Sequence, residues 1–196
     1  MLKAKALEFM VAYANAGTYE KHNLNDGIQI NKFQKLFGGV LGTPQSKGSP
    51  YCMYACLFAY VKAYCAINGV DASIWGNLVA QRDAMVSKHI IPYTGSCTEA
   101  MEWAKKRGQW IEKAKWAKAT PSDLIIFDFT KAGHELQRHV GMLKKADAKN
   151  MLTVEANTTN EDSTSNDPSH GKGGVYHKVR SHSAVLGFVH IPDIGG

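Results

Sequence analysis

The chain has 196 residues, 44% of them hydrophobic and 20% charged, an ordinary globular composition long enough to bury one sizeable core. No run reaches the ~20 consecutive apolar residues of a bilayer span, so stable membrane insertion is not expected. The 23 Lys+Arg against 17 Asp+Glu give a net charge of +6 and a pI near 9.1, which suits an anionic polymer or envelope or serves solubility alone. Lys and Arg are not clustered with interleaved aromatics, so a nucleic-acid partner is not expected.

The amino terminus, "MLKAKALEFMVAYANAG", imitates a signal peptide, but Glu8 interrupts its apolar part. Leu2, Ala6, Phe9, Met10, Tyr13 and Ala14 fall at helical spacing, which predicts an amphipathic helix ending near Gly17. Synthesis in a cytoplasm is therefore expected, with any export by another route. Residues 18–49, rich in Asn, Gly, Gln and Ser around Phe33, Leu36 and Phe37, predict a long connection with a helical turn or two.

A helix is then predicted with Ser49 as N-cap, Pro50 as its first residue and Asn68-Gly69 as its stop. A further helix is expected over 77–88. Another opens at "SCTE", where Ser96 and Glu99 have capping-box spacing, and closes at Gly108. After "TPSD" the period becomes strand-like. "LIIFDF" (124–129), "HVGMLKK" (139–145), "MLTVEAN" (151–157), "GVYHKVR" (174–180) and "SAVLGFVHI" (183–191) predict successive strands, with 158–173 as an exposed loop. Helices followed by an antiparallel sheet make an α+β domain. The N-terminal helix occupies 1–17 and the remainder, 18–196, reads as one unit without a boundary.

Chemistry is concentrated in the cysteines. Cys52 and Cys56 are poorly placed to pair with each other on one helix, and no paired CxxC motif marks a zinc site, so reduced thiols are expected. Cys52 falls in the first turn of its helix, near unpaired N–H groups and the positive end of the dipole. Lowering a thiol from ~8.5 to ~5.5 needs about 4 kcal/mol, whereas a helix end supplies ~0.3–1 and at most ~2. A cationic partner must supply the rest, and a histidine is the natural one. Cys56 and Cys65 read as small core residues. Cys97 also follows an N-cap, so chain physics leaves it a competitor to Cys52.

Among the histidines, "HELQRH" fails the HExxH spacing that brings two rings to one helix face, and "NLNDG" fails the calcium-loop pattern, so no metal is expected. His139 opens a strand. Alternation in the next strand puts Glu155 and Asn157 on one face, beside His139 if the two strands pair. A carboxylate or carboxamide there can hold the second imidazole nitrogen, completing nucleophile, base and orienter.

These residues resemble a family, the CHAP domain, a papain-like cysteine peptidoglycan hydrolase common in bacteriophage endolysins. "SPYCMYACLFAYVKA" looks like the family's "PWCAxFVSWC" helix, and "GSCTEAMEWAKKRGQW" like its "CxxWVxWAKxxG" segment. "ATPSDLIIFDF" resembles "PGDLVFFDW", "RHVGMLKK" resembles "DHVGIV", and "LTVEANTT" resembles "VxTIEGNT". "GGVYHKVRSHSAVLGFVHIP" is similar to the closing "GGVxRRxRSxSxVxGFxRP". The likeness runs in family order from about residue 19 to 192, with Tyr51 in place of the usual Trp and Ala156 in place of Gly. The acidic calcium loop that precedes the cysteine in some members is replaced by "QSKGS".

The resemblance implies Cys52 as nucleophile, His139 as general base, Glu155 as orienter with Asn157 assisting, and Cys97 as a core residue. It implies a papain-like monomer without cofactor that cuts an amide of the stem or cross-bridge peptide of peptidoglycan. Both amidases and endopeptidases occur in the family, and the sequence does not separate them. A phage endolysin acting on the cell wall from the host cytoplasm is the expected setting. The alternatives are an interbacterial effector of the same chemistry and a wall-binding module that keeps the fold alone.

Overall fold

A computed structural model describes residues 1–21, 24–38, 50–132, 136–159 and 171–195. Five α-helices precede or flank a six-stranded antiparallel sheet: α1 Leu2–Asn15, α2 Ile28–Gly38, α3 Cys52–Ile67, α4 Trp75–Ser87 and α5 Cys97–Lys106. The strands are β1 Trp110–Glu112, β2 Leu124–Asp128, β3 Arg138–Ala146, β4 Asn150–Thr159, β5 Gly173–Ser181 and β6 Val185–Val189. The order across the sheet is β1-β6-β2-β3-β4-β5, so the last strand returns between the first two. The expected α+β arrangement, helices before an antiparallel sheet, is observed.

The central element is α3. Met53, Ala55, Cys56, Leu57, Phe58, Ala59, Tyr60, Val61, Ala63, Tyr64 and Cys65 are all buried, so the helix is apolar nearly all round. Such a helix must be enclosed. It packs against α1, α2 and α4 on one side and β3 and β4 on the other. Leu124, Ile126, Val140, Met142, Val154, Ala156 and Val175 face it from the sheet. The opposite face carries a smaller cluster, Ile125, Phe127, Leu143, Met151, Val185 and Phe188, covered by Trp116 of a 3-10 segment, Lys113–Lys118. Burial on both faces explains why β2 reads as the unbroken run "LIIF" rather than as an alternation.

The N-terminal helix is anchored in this same core. Leu2, Ala6 and Met10 form its buried stripe, and Lys3 forms a buried ion pair with Asp123 at 2.5 Å. Asp123 also accepts from the Thr120 backbone N–H at 2.8 Å and meets His190 at 3.0 Å, so its charge is fully compensated. Gly17, at φ 65°, takes the left-handed position after the helix that glycine occupies without steric cost.

Several boundaries differ from expectation. The third helix starts at Cys52, not at Pro50, with Tyr51 as its cap residue and no side-chain cap. Ser49, the expected cap, lies outside the described residues, as do His134 and most of the 158–173 loop. The capping box at α5 is half formed. Ser96 Oγ accepts from the Glu99 N–H at 3.3 Å, but the Glu99 carboxylate accepts from the Thr94 hydroxyl instead of from Ser96 N–H. Thr94 Oγ1 in turn accepts from that N–H at 2.8 Å, so the donor is satisfied by relay. The strand β1 was not foreseen, since three residues carry no readable period. No helix among the described residues is long and apolar enough to cross a membrane.

Candidate functional site

Cys52 is the first residue of α3, and α3 is pressed against β3 and β4. The first turn of that helix therefore delivers the thiol to the end of β3, where His139 sits. His139 Nε2 lies 3.1 Å from Glu155 Oε2, which leaves Nδ1 for the thiol. Glu155 reaches the imidazole because β3 and β4 pair with Gly141 opposite it. A Cβ on Gly141 would stand 2.7 Å from Glu155 Cγ, so the missing side chain is what admits the carboxylate between the strands. Phe127, directly across the β2–β3 ladder from His139, stacks on the imidazole at a centroid distance of 6.3 Å.

The Glu155 carboxylate is completely buried and saturated with donors. Arg180 of β5 grips it through Nη2 at 2.5 Å and Nε at 3.0 Å, and Thr153 Oγ1 donates at 2.6 Å. Burial opposes its ionisation, but the bonds from His139 and Arg180 outweigh burial and hold it down to about 2. The Arg180 guanidinium lies over Phe129 at 5.2 Å and Phe127 at 5.9 Å, which fixes its plane.

A permanently ionised Glu155 acts on the imidazole. Burial disfavours the charged ring, yet contacts with Cys52 and Glu155 raise His139 to about 9. Cys52 moves the other way, well below its ordinary value. The largest contribution is the Cys97 thiol, followed by His139 and then the Met53 backbone N–H, all against the cost of burial. Both shifts favour the thiolate–imidazolium pair, with a carboxylate behind it. Cys56 stays a thiol, pushed up by burial and by the neighbouring Cys52 charge.

A cleft of about 480 Å³ opens over these groups, lined by Pro50, Cys52, Arg138, His139, Asn157 and Arg180 among others. That volume is in the range of small-ligand sites. Asn157 lines the cleft but makes no hydrogen bond to the imidazole among the described residues. The β4–β5 ladder slips between Ala156 and Thr158, and Asn157 takes φ 58°. The bulge interrupts the alternation that was expected to carry Asn157 to the face of Glu155.

Of the sequence candidates, then, Cys52, His139 and Glu155 are joined by contacts, and Asn157 lines the same cleft as Cys52 and His139. Sequence reasoning missed Arg180, Thr153 and Arg138; Cys97 is a buried core residue, as the resemblance implied, and is also a neighbour of Cys52. Arg180 lies in the closing segment quoted above, but nothing local shows that it returns to β4. Tyr51, standing where the resemblance has Trp, uses its hydroxyl to reach the buried Glu20 at 3.2 Å, tying the α3 start to the 18–21 strap. All four cysteines are free, and no group of three or more metal-ligating side chains occurs among the described residues.

No family model matches the chain, and neither a curated protein nor a solved structure matches it.

Proposed function

We propose that this chain is a cysteine hydrolase of the papain-like, CHAP-domain kind that cleaves an amide in the peptide part of bacterial peptidoglycan. The observation that carries the reading is the series Cys52, His139, Glu155 at the mouth of a cleft, with the thiol depressed, the imidazole raised and the carboxylate locked ionised. The substrate rests on the sequence resemblance and on the basic charge.

The thiolate of Cys52 attacks the amide carbonyl, forming a C–S bond and an oxyanion. Backbone N–H groups at the uncapped start of α3, including that of Cys52, are available to the oxyanion. As the C–N bond breaks, the imidazolium of His139 gives its proton to the departing amine, leaving a thioester and a neutral ring. Water then loses a proton to His139 while its oxygen attacks the thioester carbonyl. Collapse expels the Cys52 thiolate and frees a carboxylic acid, restoring the ion pair. Glu155 stabilises the imidazolium in the resting site and fixes the ring for both transfers. The expected setting is a phage endolysin.

Digestion of isolated sacculi tests this. New amino groups without reducing sugar ends are expected, and mass spectrometry of the fragments names the bond. Reducing ends would mean glycosidase chemistry and would end the proposal.

A further inference from the structure

Two guanidinium groups line the cleft, and they are not equivalent. Arg180 is committed to Glu155. Arg138, next to His139 in the chain, is held by one hydrogen bond, Nη1 to Thr98 Oγ1 at 2.7 Å at the start of α5. Its Nε is buried and has no hydrogen-bond partner among the described residues. None of the ion pairs among those residues includes it. Asp128, its register partner on β2, accepts from the Thr130 backbone N–H at 2.8 Å and feels the Arg138 charge, but forms no ion pair with it.

The guanidinium lines the cleft with no ion pair among the described residues, so its charge there is left to be met by what the cleft binds. The chain spends Thr98 on orienting this group, and the cleft it lines contains the nucleophile. An always-charged guanidinium binds a carboxylate more strongly than an uncharged amide. From this geometry we infer that Arg138 forms a carboxylate-binding subsite beside Cys52, so that the preferred substrate is a peptide carrying a free carboxylate next to the amide that is cut. The inference rests on the hydrolase reading for its substrate but not for its chemistry. Peptidoglycan stem peptides offer such carboxylates, and amidation removes them.

The test uses the whole protein and two matched alkylating agents, iodoacetate and iodoacetamide, followed by mass spectrometry of Cys52. In wild type the anionic reagent is recruited to the thiolate. Arg138→Gln is expected to lower the iodoacetate-to-iodoacetamide rate ratio about ten-fold, the size of one charge-assisted hydrogen bond, with the iodoacetamide rate little changed. Arg138→Lys is expected to keep most of the preference. A parallel fall in both rates would assign Arg138 to thiolate activation and overturn the subsite, as would an unchanged ratio. A second arm compares muramyl stem peptides with free carboxylates against the same peptides fully amidated. Preference for the free form in wild type, lost in Arg138→Gln, supports the subsite. Equal cleavage of both forms by wild type overturns it and leaves the hydrolase reading standing. The expected labelling ratios with no stem peptide cut would instead retain the anion subsite and remove the hydrolase reading.

Discussion

Replacing Glu155 by Gln preserves shape and removes one charge from a fully buried, densely hydrogen-bonded position. The carboxylate is held at about 2 against an ordinary 4.5, which at ~1.36 kcal/mol per tenfold makes its ionised form worth roughly 3 kcal/mol more in the fold than in the unfolded chain. Gln offers one acceptor oxygen where Arg180, His139 and Thr153 all donate, and its amide hydrogens oppose theirs. Glu155→Gln is therefore expected to lower unfolding free energy at pH 7 by roughly 3 kcal/mol, measured by urea denaturation. The sign of the pH dependence is fixed. A depressed carboxyl gives stability that is full above 4.5 and is lost as pH falls towards about 2, so the gap between wild type and variant should narrow at pH 3. Adding Arg180→Gln removes the guanidinium that the first change strands, so the double variant should lose less than the two single losses together. A gap under about 1 kcal/mol at pH 7, or one equally large at pH 3, would refute the electrostatic account of this network. Turnover should also fall by an order of magnitude or more, since an amide does not stabilise imidazolium as a carboxylate does.

The same geometry fixes other outcomes. Iodoacetamide near pH 6 should label Cys52 before the other three thiols, which are all raised, and His139→Ala should slow that labelling. Hydrolysis should decline as pH rises through about 9, where His139 loses the proton it gives to the leaving amine; a flat profile to pH 10 would contradict that role. Gly141→Ala should reduce activity with little change in α3 packing, because its Cβ would meet Glu155 at 2.7 Å; wild-type rates would mean the carboxylate has room to move. Lys3→Met should cost about 3 kcal/mol in urea denaturation by leaving Asp123 without its ammonium partner, and a smaller effect would mean that Thr120 and His190 suffice.

What the sequence discloses and what it withholds follow from the range of each interaction. Helix and strand periods are local, so α1, α3, α4, α5 and the five longer strands are readable within a few residues. The His139–Glu155 contact is readable too, because consecutive strands pair as a hairpin and side-chain alternation decides which residues share a face. The geometry around Asn157 is less legible: a left-handed residue and one ladder slip interrupt the alternation on which its face was assigned. Arg180 is invisible for another reason. Its partner lies on the neighbouring strand across a register that only the folded sheet sets, and the gripping guanidinium reaches along the ladder rather than straight across it.

Cys97 shows the limit most clearly. Chain physics saw two cysteines at two helix starts and made them competitors. The fold brings both helix starts to one point, and the competition becomes cooperation. Once Cys52 is ionised, its charge and the surrounding burial force Cys97 to remain a thiol, so Cys97 can only donate to the sulfur beside it. That hydrogen bond lowers Cys52 alongside the hydrogen bond and charge of the imidazole. Cys97→Ala should therefore move the Cys52 thiolate titration upward, measured as iodoacetamide labelling against pH, while Cys97→Ser, which keeps an O–H donor, should restore most of it. If Ala and Ser variants titrate like wild type, the second thiol is packing alone, and His139 with the helix start must carry the whole activation.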